Sequence, residues 1–144
     1  MKVHTKPVTG GDTVWANAYE AYDRLTPTLR AFLETLTATH QGTQFLEVSK
    51  RLGFPLAKNR GAPENSSPIG DDLTAIHPVI RTNPVTGWKG VFVNRTFTKR
   101  INELSKDESD VLLEYLFKLI SDNHDLQVRH RWTVNGMSSS FESS

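Results

Sequence analysis

The stretch from Leu104 to Asn123 constrains the fold more than any other in this chain, because it specifies one long amphipathic helix from purely local signals. Ser105-Lys106-Asp107-Glu108 has the spacing of a capping box, in which the serine side chain accepts from a backbone N–H three residues on and the glutamate reaches back. Leu104 precedes it as a staple. Leu112, Tyr115, Leu116, Leu119 and Ile120 then recur at helical spacing to give one apolar face, and Ser121-Asp122-Asn123 ends the run. A helix with one apolar stripe must be covered by other elements, so the rest of the chain has to supply a core.

Thr26 followed by Pro27 gives an N-cap and a first helical position that tolerates a missing N–H. Leu29, Phe32, Leu33 and Leu36 follow at i, i+3, i+4 and i+7, which predicts a helix running to about His40, with Gly42 beyond its end. Tyr19, Tyr22 and Leu25 share a side of a shorter helix from Asn17 to Arg24, and a helical turn is expected around Phe45 to Leu52. Ile76 to Thr82 and Trp88 to Asn94 flank Asn83-Pro84-Val85-Thr86-Gly87 and predict a hairpin. From Gln127 to Val134 the chain alternates, with Val128, His130, Trp132 and Val134 on a mostly apolar strand face. Gly53 to Thr74, with Pro55, Gly61, Pro63, Pro68 and Gly70, reads as a long loop.

These elements predict an α+β class with no internal repeat. One domain is expected over residues 1–136, followed by a disordered serine-rich tail over 137–144 whose composition buries too little apolar surface to offset chain entropy.

Lys+Arg 17 against Asp+Glu 16 leaves a net charge of +1, so no large field favours nucleic acid or an anionic membrane as a partner. The absence of cysteine excludes disulfides, thiolate metal sites and a cysteine nucleophile, and fits a reducing compartment. No apolar run approaches the ~20 residues of a membrane span, and Met1 to Pro7 lacks a signal-peptide core. A cytoplasmic location is the expectation.

Four segments carry the chemistry. They are Thr9-Gly10-Gly11-Asp12-Thr13-Val14-Trp15-Ala16-Asn17, His77-Pro78-Val79-Ile80-Arg81-Thr82-Asn83-Pro84-Val85-Thr86-Gly87, Val91-Phe92-Val93-Asn94-Arg95-Thr96-Phe97-Thr98 and Val128-Arg129-His130-Arg131-Trp132. In order and spacing they resemble the taurine dioxygenase family of Fe(II)- and 2-oxoglutarate-dependent oxidoreductases. The resemblance covers roughly residues 3 to 134 and implies a double-stranded β-helix, or jelly roll, of which this chain would supply an incomplete part with packed helices. It also implies that Thr13 hydrogen-bonds the distal carboxylate of 2-oxoglutarate and that Phe97 lines the pocket for a small-molecule substrate, such as a sulfonate.

Non-haem iron oxygenases of this type hold the metal with two histidines and one carboxylate. In the family these come from a His-x-Asp pair upstream of the Gly-Gly-Asp-Thr segment and a histidine downstream of the Arg-x-Arg-Trp strand, followed by an arginine that clamps 2-oxoglutarate. None of His4, His40, His77, His124 and His130 stands two before an Asp or Glu, and after Trp132 the chain reads Asn135-Gly136-Met137. The resemblance therefore assigns no catalytic or metal-ligating residue here. The expectation is a truncated, inactive dioxygenase that binds neither Fe(II) nor 2-oxoglutarate stably and self-associates through exposed strand edges. The alternative is a non-catalytic interaction module that pairs with a full-length relative or another protein.

The remaining candidates read as structure. His77 before Pro78 and His130 on the apolar strand face are expected to be hydrogen-bonded structural histidines. Arg129 and Arg131 lie on the polar side of their strand and are expected in solvent. Asn65-Ser66-Ser67 and Asn94-Arg95-Thr96 match the glycosylation pattern without a secretory signal, and Glu20, Asp23 and Glu34 form no carboxylate pair.

Overall fold

The computed structural model describes residues 3–53 and 73–134. Along the chain run β1 (Thr13–Ala16), α1 (Ala18–Asp23), α2 (Pro27–Leu33), β2 (Thr37–Gln41), α3 (Thr43–Leu52), β3 (Thr74–Pro78), β4 (Ile80–Thr82), β5 (Lys89–Val91), β6 (Thr98–Ile101), α4 (Lys106–Ser121) and β7 (Gln127–His130). A 3-10 turn at His124–Leu126 leads into β7. The long loop expected before Thr74 and the serine-rich tail lie outside the described residues, apart from the loop's ends.

α4 forms as its local signals dictate. The Glu108 N–H donates to Ser105 Oγ at 3.4 Å and the Ser105 N–H donates to Glu108 Oε2 at 3.0 Å, a reciprocal cap. A serine cap of this kind is worth about 0.5–2 kcal/mol. The buried stripe is rotated from the expected one: Ser109, Leu113 and Leu116 lie deepest, at i, i+4 and i+7, while Tyr115 remains 45% exposed. The short helix expected from Asn17 to Arg24 is present as α1, and Asn17 caps it, with Oδ1 accepting from Tyr19 N–H at 3.0 Å and Glu20 N–H at 3.2 Å.

The helix expected from Thr26 to His40 is corrected. It ends at Leu33, and Thr37–Gln41 form the central strand of the order β3-β2-β6. Leu36 fits both a helical stripe and a strand alternation, and Thr35, Thr37 and Thr39 tip the balance because β-branched side chains suit a strand with neighbours on both edges. β2 pairs antiparallel with both neighbours, and the register with β6 slips by one residue: Thr39 faces Arg100, but His40 faces Thr98, leaving Lys99 as the extra residue of a bulge.

The expected hairpin is present only in its inner half. Ile80 pairs with Val91 and Thr82 with Lys89, and the turn is closed by Asn83 Oδ1 accepting from Val85 and Thr86 N–H, with Gly87 at φ +73. Residues 74–78 pair with β2 instead. The change of partner occurs at Val79, whose N–H donates to the Leu36 carbonyl while its own carbonyl accepts from Phe92 N–H. Val79 thereby ties the hairpin to the three-stranded sheet.

Leu33, Val79, Ile101 and Leu116 are fully buried and join Ala21, Leu25, Leu36 and Leu113 in one core under α4. Its one deep polar group is satisfied, because Ser109 Oγ accepts from the Ile101 N–H at 2.8 Å. α1 closes on β5 so tightly that a Cβ on Gly90 would come within 3.2 Å of the Tyr19 ring. β1 and β7 form a separate antiparallel ladder, with Thr13 opposite His130 and Trp15 opposite Val128. The strand expected over Gln127–Val134 stops at His130, and its apolar face is not a core face, since Val128 is 66% exposed. The class is α+β, with helices packed against three small antiparallel sheets among the described residues.

Candidate functional site

Two surfaces carry the functional candidates. The first is the β1–β7 ladder. Thr13, Trp15, Val128 and His130 share one side of it, because each pair stands directly opposite in the register. Trp132 folds back onto that side, 4.7 Å from the His130 ring and 6.5 Å from the Trp15 ring, and its Nε1–H donates to Thr13 Oγ1 at 2.8 Å. An indole N–H is a donor only, so it occupies an acceptor lone pair of the threonine and leaves the hydroxyl proton free to donate outward. The flanking Gly10 and Gly11 both stand at φ +79, a left-handed conformation that brings the chain into β1 and that a side chain would strain.

His130 is half-buried between Trp15 and Trp132 and makes ring contacts with both. Arg129 is exposed on the opposite face and pairs with Asp12 at 2.9 Å, an ion pair worth little at such exposure. That pairing is not legible in the sequence, because 117 residues separate the two.

The second surface is a cavity of about 290 Å³ between β2, β3 and the segment leading into β6. Phe97 lies in its wall, stacked on Phe45 of α3 with ring centroids 5.6 Å apart and planes at 23°. Phe92, His40 and His77 form a second aromatic cluster in the same wall, with His40 5.2 Å from His77 and both rings within 5.6 Å of Phe92. His77 is therefore brought into the cavity wall with Phe97. Phe45, His40 and Phe92 are the residues that sequence reasoning missed. Phe45 was legible only as part of a helical turn, and His40 was placed at a helix end instead of in a strand, where it stands opposite Ala75 and diagonal to His77.

Burial holds the His40 imidazole below its usual range, and the neighbouring His77 adds to the effect. Burial also lowers His77, helped by Arg81, whose guanidinium sits over the Phe92 ring at 5.0 Å. Both groups bind protons more readily in the unfolded chain, so their contribution to stability is complete above the usual histidine value of 6.5 and is lost as pH falls through the lowered folded values. Urea melts at pH 7.5 and 5.5 are expected to show lower stability at pH 5.5, with the difference reduced in His40→Gln/His77→Gln. The carboxylates held low by partners, such as Glu34 beside Lys89 and Glu103 beside Thr37, act only below the usual 4.5 and leave this window clear. An unchanged pH difference in the double variant would remove the histidines as its source.

Among the described residues no three His, Asp or Glu side chains converge to hold a metal ion. No helix among them is long and apolar enough to cross a membrane.

Residues 2–137 match the family model described as "Taurine catabolism dioxygenase TauD, TfdA family". The chain is 47% identical over 122 residues to the alpha-ketoglutarate-dependent dioxygenase esdpJ of Penicillium shearii, covering 84% of this chain and 32% of that protein. It is 40% identical over 126 residues to the alpha-ketoglutarate-dependent sulfonate dioxygenase of Saccharomyces cerevisiae, covering 88% of this chain and 28% of the relative. The fold superposes on a taurine dioxygenase from Burkholderia xenovorans with a TM-score of 0.68 at 30% identity, over 93% of this chain and 38% of that one. The chain thus spans about a third of the length of the curated relatives it matches. A match that runs through both the Thr13 ladder and the Phe97 cavity leaves one assignment: this chain belongs to the TauD/TfdA family of dioxygenases.

Proposed function

We propose that the chain supplies two walls of an Fe(II)- and 2-oxoglutarate-dependent dioxygenase site, an oxidoreductase that hydroxylates a small organic substrate. The observation that supports this reading is the Thr13 hydroxyl, which accepts from the Trp132 indole N–H at 2.8 Å and so keeps its own proton for donation. Thr13 donates to a carboxylate of 2-oxoglutarate. Phe97, stacked on Phe45, lines the substrate pocket and excludes water from it. The strands described here make up part of a jelly roll.

Bound iron would supply the oxidation chemistry. The described residues do not fit it, since no facial set of ligands forms among them, and no step is assigned to a metal held by them. Accordingly, the 144-residue chain is expected to release negligible succinate from 2-oxoglutarate and to retain well under one equivalent of Fe(II) after anaerobic loading.

The test places residues 3–134 in the corresponding span of the Burkholderia xenovorans taurine dioxygenase. The chimera is expected to consume 2-oxoglutarate, and Thr13→Val to weaken its binding by about 0.5–1.5 kcal/mol, or up to ~3 if the accepting group is charged, while Thr13→Ser retains it. A folded chimera whose 2-oxoglutarate affinity ignores Thr13→Val would take Thr13 out of the site. Near-stoichiometric iron on the isolated chain, lost on mutation of particular histidines, would overturn the division of labour.

A further inference from the structure

A groove of about 750 Å³ runs between α2 and α4 and shares no lining residue with the Phe45–Phe97 cavity. Leu29 and Phe32 of α2, Val111, Leu112 and Tyr115 of α4, and Leu104 before α4 make its wall almost wholly apolar. Asp107 and Glu108, in the first turn of α4, supply its charge. Val111 is largely exposed, and Phe32 and Tyr115 are only about half covered. Apolar side chains gathered on a surface and rimmed by charge mark a place that another element covers.

The order of residues along α4 says which element. Glu108, Val111, Tyr115 and Lys118 follow one another at intervals of three, four and three, the spacing of a seam on which a second helix lies lengthwise. The same four are arranged symmetrically about Leu113: Val111 and Tyr115 stand two residues to either side of it, and Glu108 and Lys118 five. An identical helix laid antiparallel across a two-fold axis at that point brings Val111 onto Tyr115 of the second copy and Glu108 onto Lys118 of the second copy. Each contact then occurs twice. A parallel pair would instead set Glu108 against Glu108 and Lys118 against Lys118, an arrangement that like-charge repulsion opposes. Contacts within the chain compete little: Lys118 pairs with Glu114 at 3.6 Å in an exposed ion pair, and Glu108 uses Oε2 for the Ser105 cap, which leaves Oε1 to accept.

We propose that the α2–α4 groove is the interface of a homodimer, in which α4 packs antiparallel on α4 of a second copy of this chain and Tyr115 of each copy enters the groove of the other. The proposal goes beyond the dioxygenase reading and does not rest on it. It places self-association on a helix face and not on the strand edges. One 16-residue helix with its α2 flank gives a contact at the small end of specific interfaces, so the dimer is weak and concentration-dependent.

Sedimentation of the full 144-residue chain over a wide range of concentration is expected to show the mass rising from that of a monomer toward twice that value, and added salt should reduce the rise. Lys118→Glu and Glu108→Lys each set like charges together at both ends of the seam, and each should weaken the dimer on the order of ten-fold or more. Mixing the two variants puts opposite charges back at both ends, so the mixture should form a heterodimer where neither variant pairs with itself. Far-UV circular dichroism checks that α4 survives Glu108→Lys, which keeps the Ser105 Oγ half of the cap. The native chain gives a readout free of that concern: in a mixture of isotope-labelled and unlabelled chains, nuclear Overhauser contacts are expected between the Val111 methyls of one copy and the Tyr115 ring of the other. A monomer at every concentration overturns the proposal. A dimer that both charge variants leave intact would move the interface to the strand edges, and a mixture that fails to pair while α4 is intact would overturn the antiparallel register. Contacts from residues 54–72 or 135–144 of the same chain to Phe32 and Tyr115 would mean that the chain covers its own groove, which also overturns it.

Discussion

Leu116→Ala is expected to destabilise the chain by about 2–5 kcal/mol, the range for removing a buried leucine side chain and leaving a cavity. Leu116 is fully buried on the inner face of α4, between the helix and the strands that meet at Val79 and Ile101. Rigid neighbours on both sides limit collapse into the space, which puts the loss toward the upper part of that range. Val111→Ala, on the same helix but 73% exposed, should stay within about 0.5 kcal/mol. Urea melts of the two variants decide the matter. Similar losses at both positions would mean that α4 turns a different face to the core.

Trp132→Ala is expected to cost about 3–5 kcal/mol, since Trp132 is only 6% exposed although it lies beyond the last strand. It holds the β1–β7 ladder together by covering Thr13 and packing on His130 and Trp15. Trp132→Phe keeps much of the ring area and deletes the N–H, so it should cost less in packing while freeing the Thr13 acceptor. Hydrogen exchange separates the two effects: Trp132→Ala should expose the amides of residues 13–16 and 127–130, and Trp132→Phe should leave most of them protected. Equal exchange in both variants would show that the indole hydrogen bond, and not the ring's bulk, secures the ladder.

What the sequence revealed depended on how far apart the deciding groups stand. The α4 cap was legible because it is closed within three residues. The helix expected past Leu33 was not, because Leu36 satisfies two periodicities and the strand partners that decide between them lie near residues 74–78 and 98–101. The same applies to the hairpin, whose outer half is taken by β2 through a single change of partner at Val79. Family resemblance singles out Thr13 and Phe97 as candidates, but their structural supports are hidden in the sequence. Trp132 lies 119 residues from Thr13, and Phe45 of α3 meets Phe97 only in the folded chain.

The slip at Lys99 makes the cavity sensitive to a kind of change that substitutions do not sample. Thr98 and Ile101 stand three apart, which an unbroken pleat would turn to opposite sides, yet their partners His40 and Ala38 lie on one side of β2. The extra residue reconciles them, letting Ile101 fill the core while Thr98 faces His40. Deleting one codon at Lys99 would restore strict alternation and swing the threonine hydroxyl away from the imidazole. Chain length at one point of β6, and not only the identity of its residues, sets whether Thr98 lies beside His40.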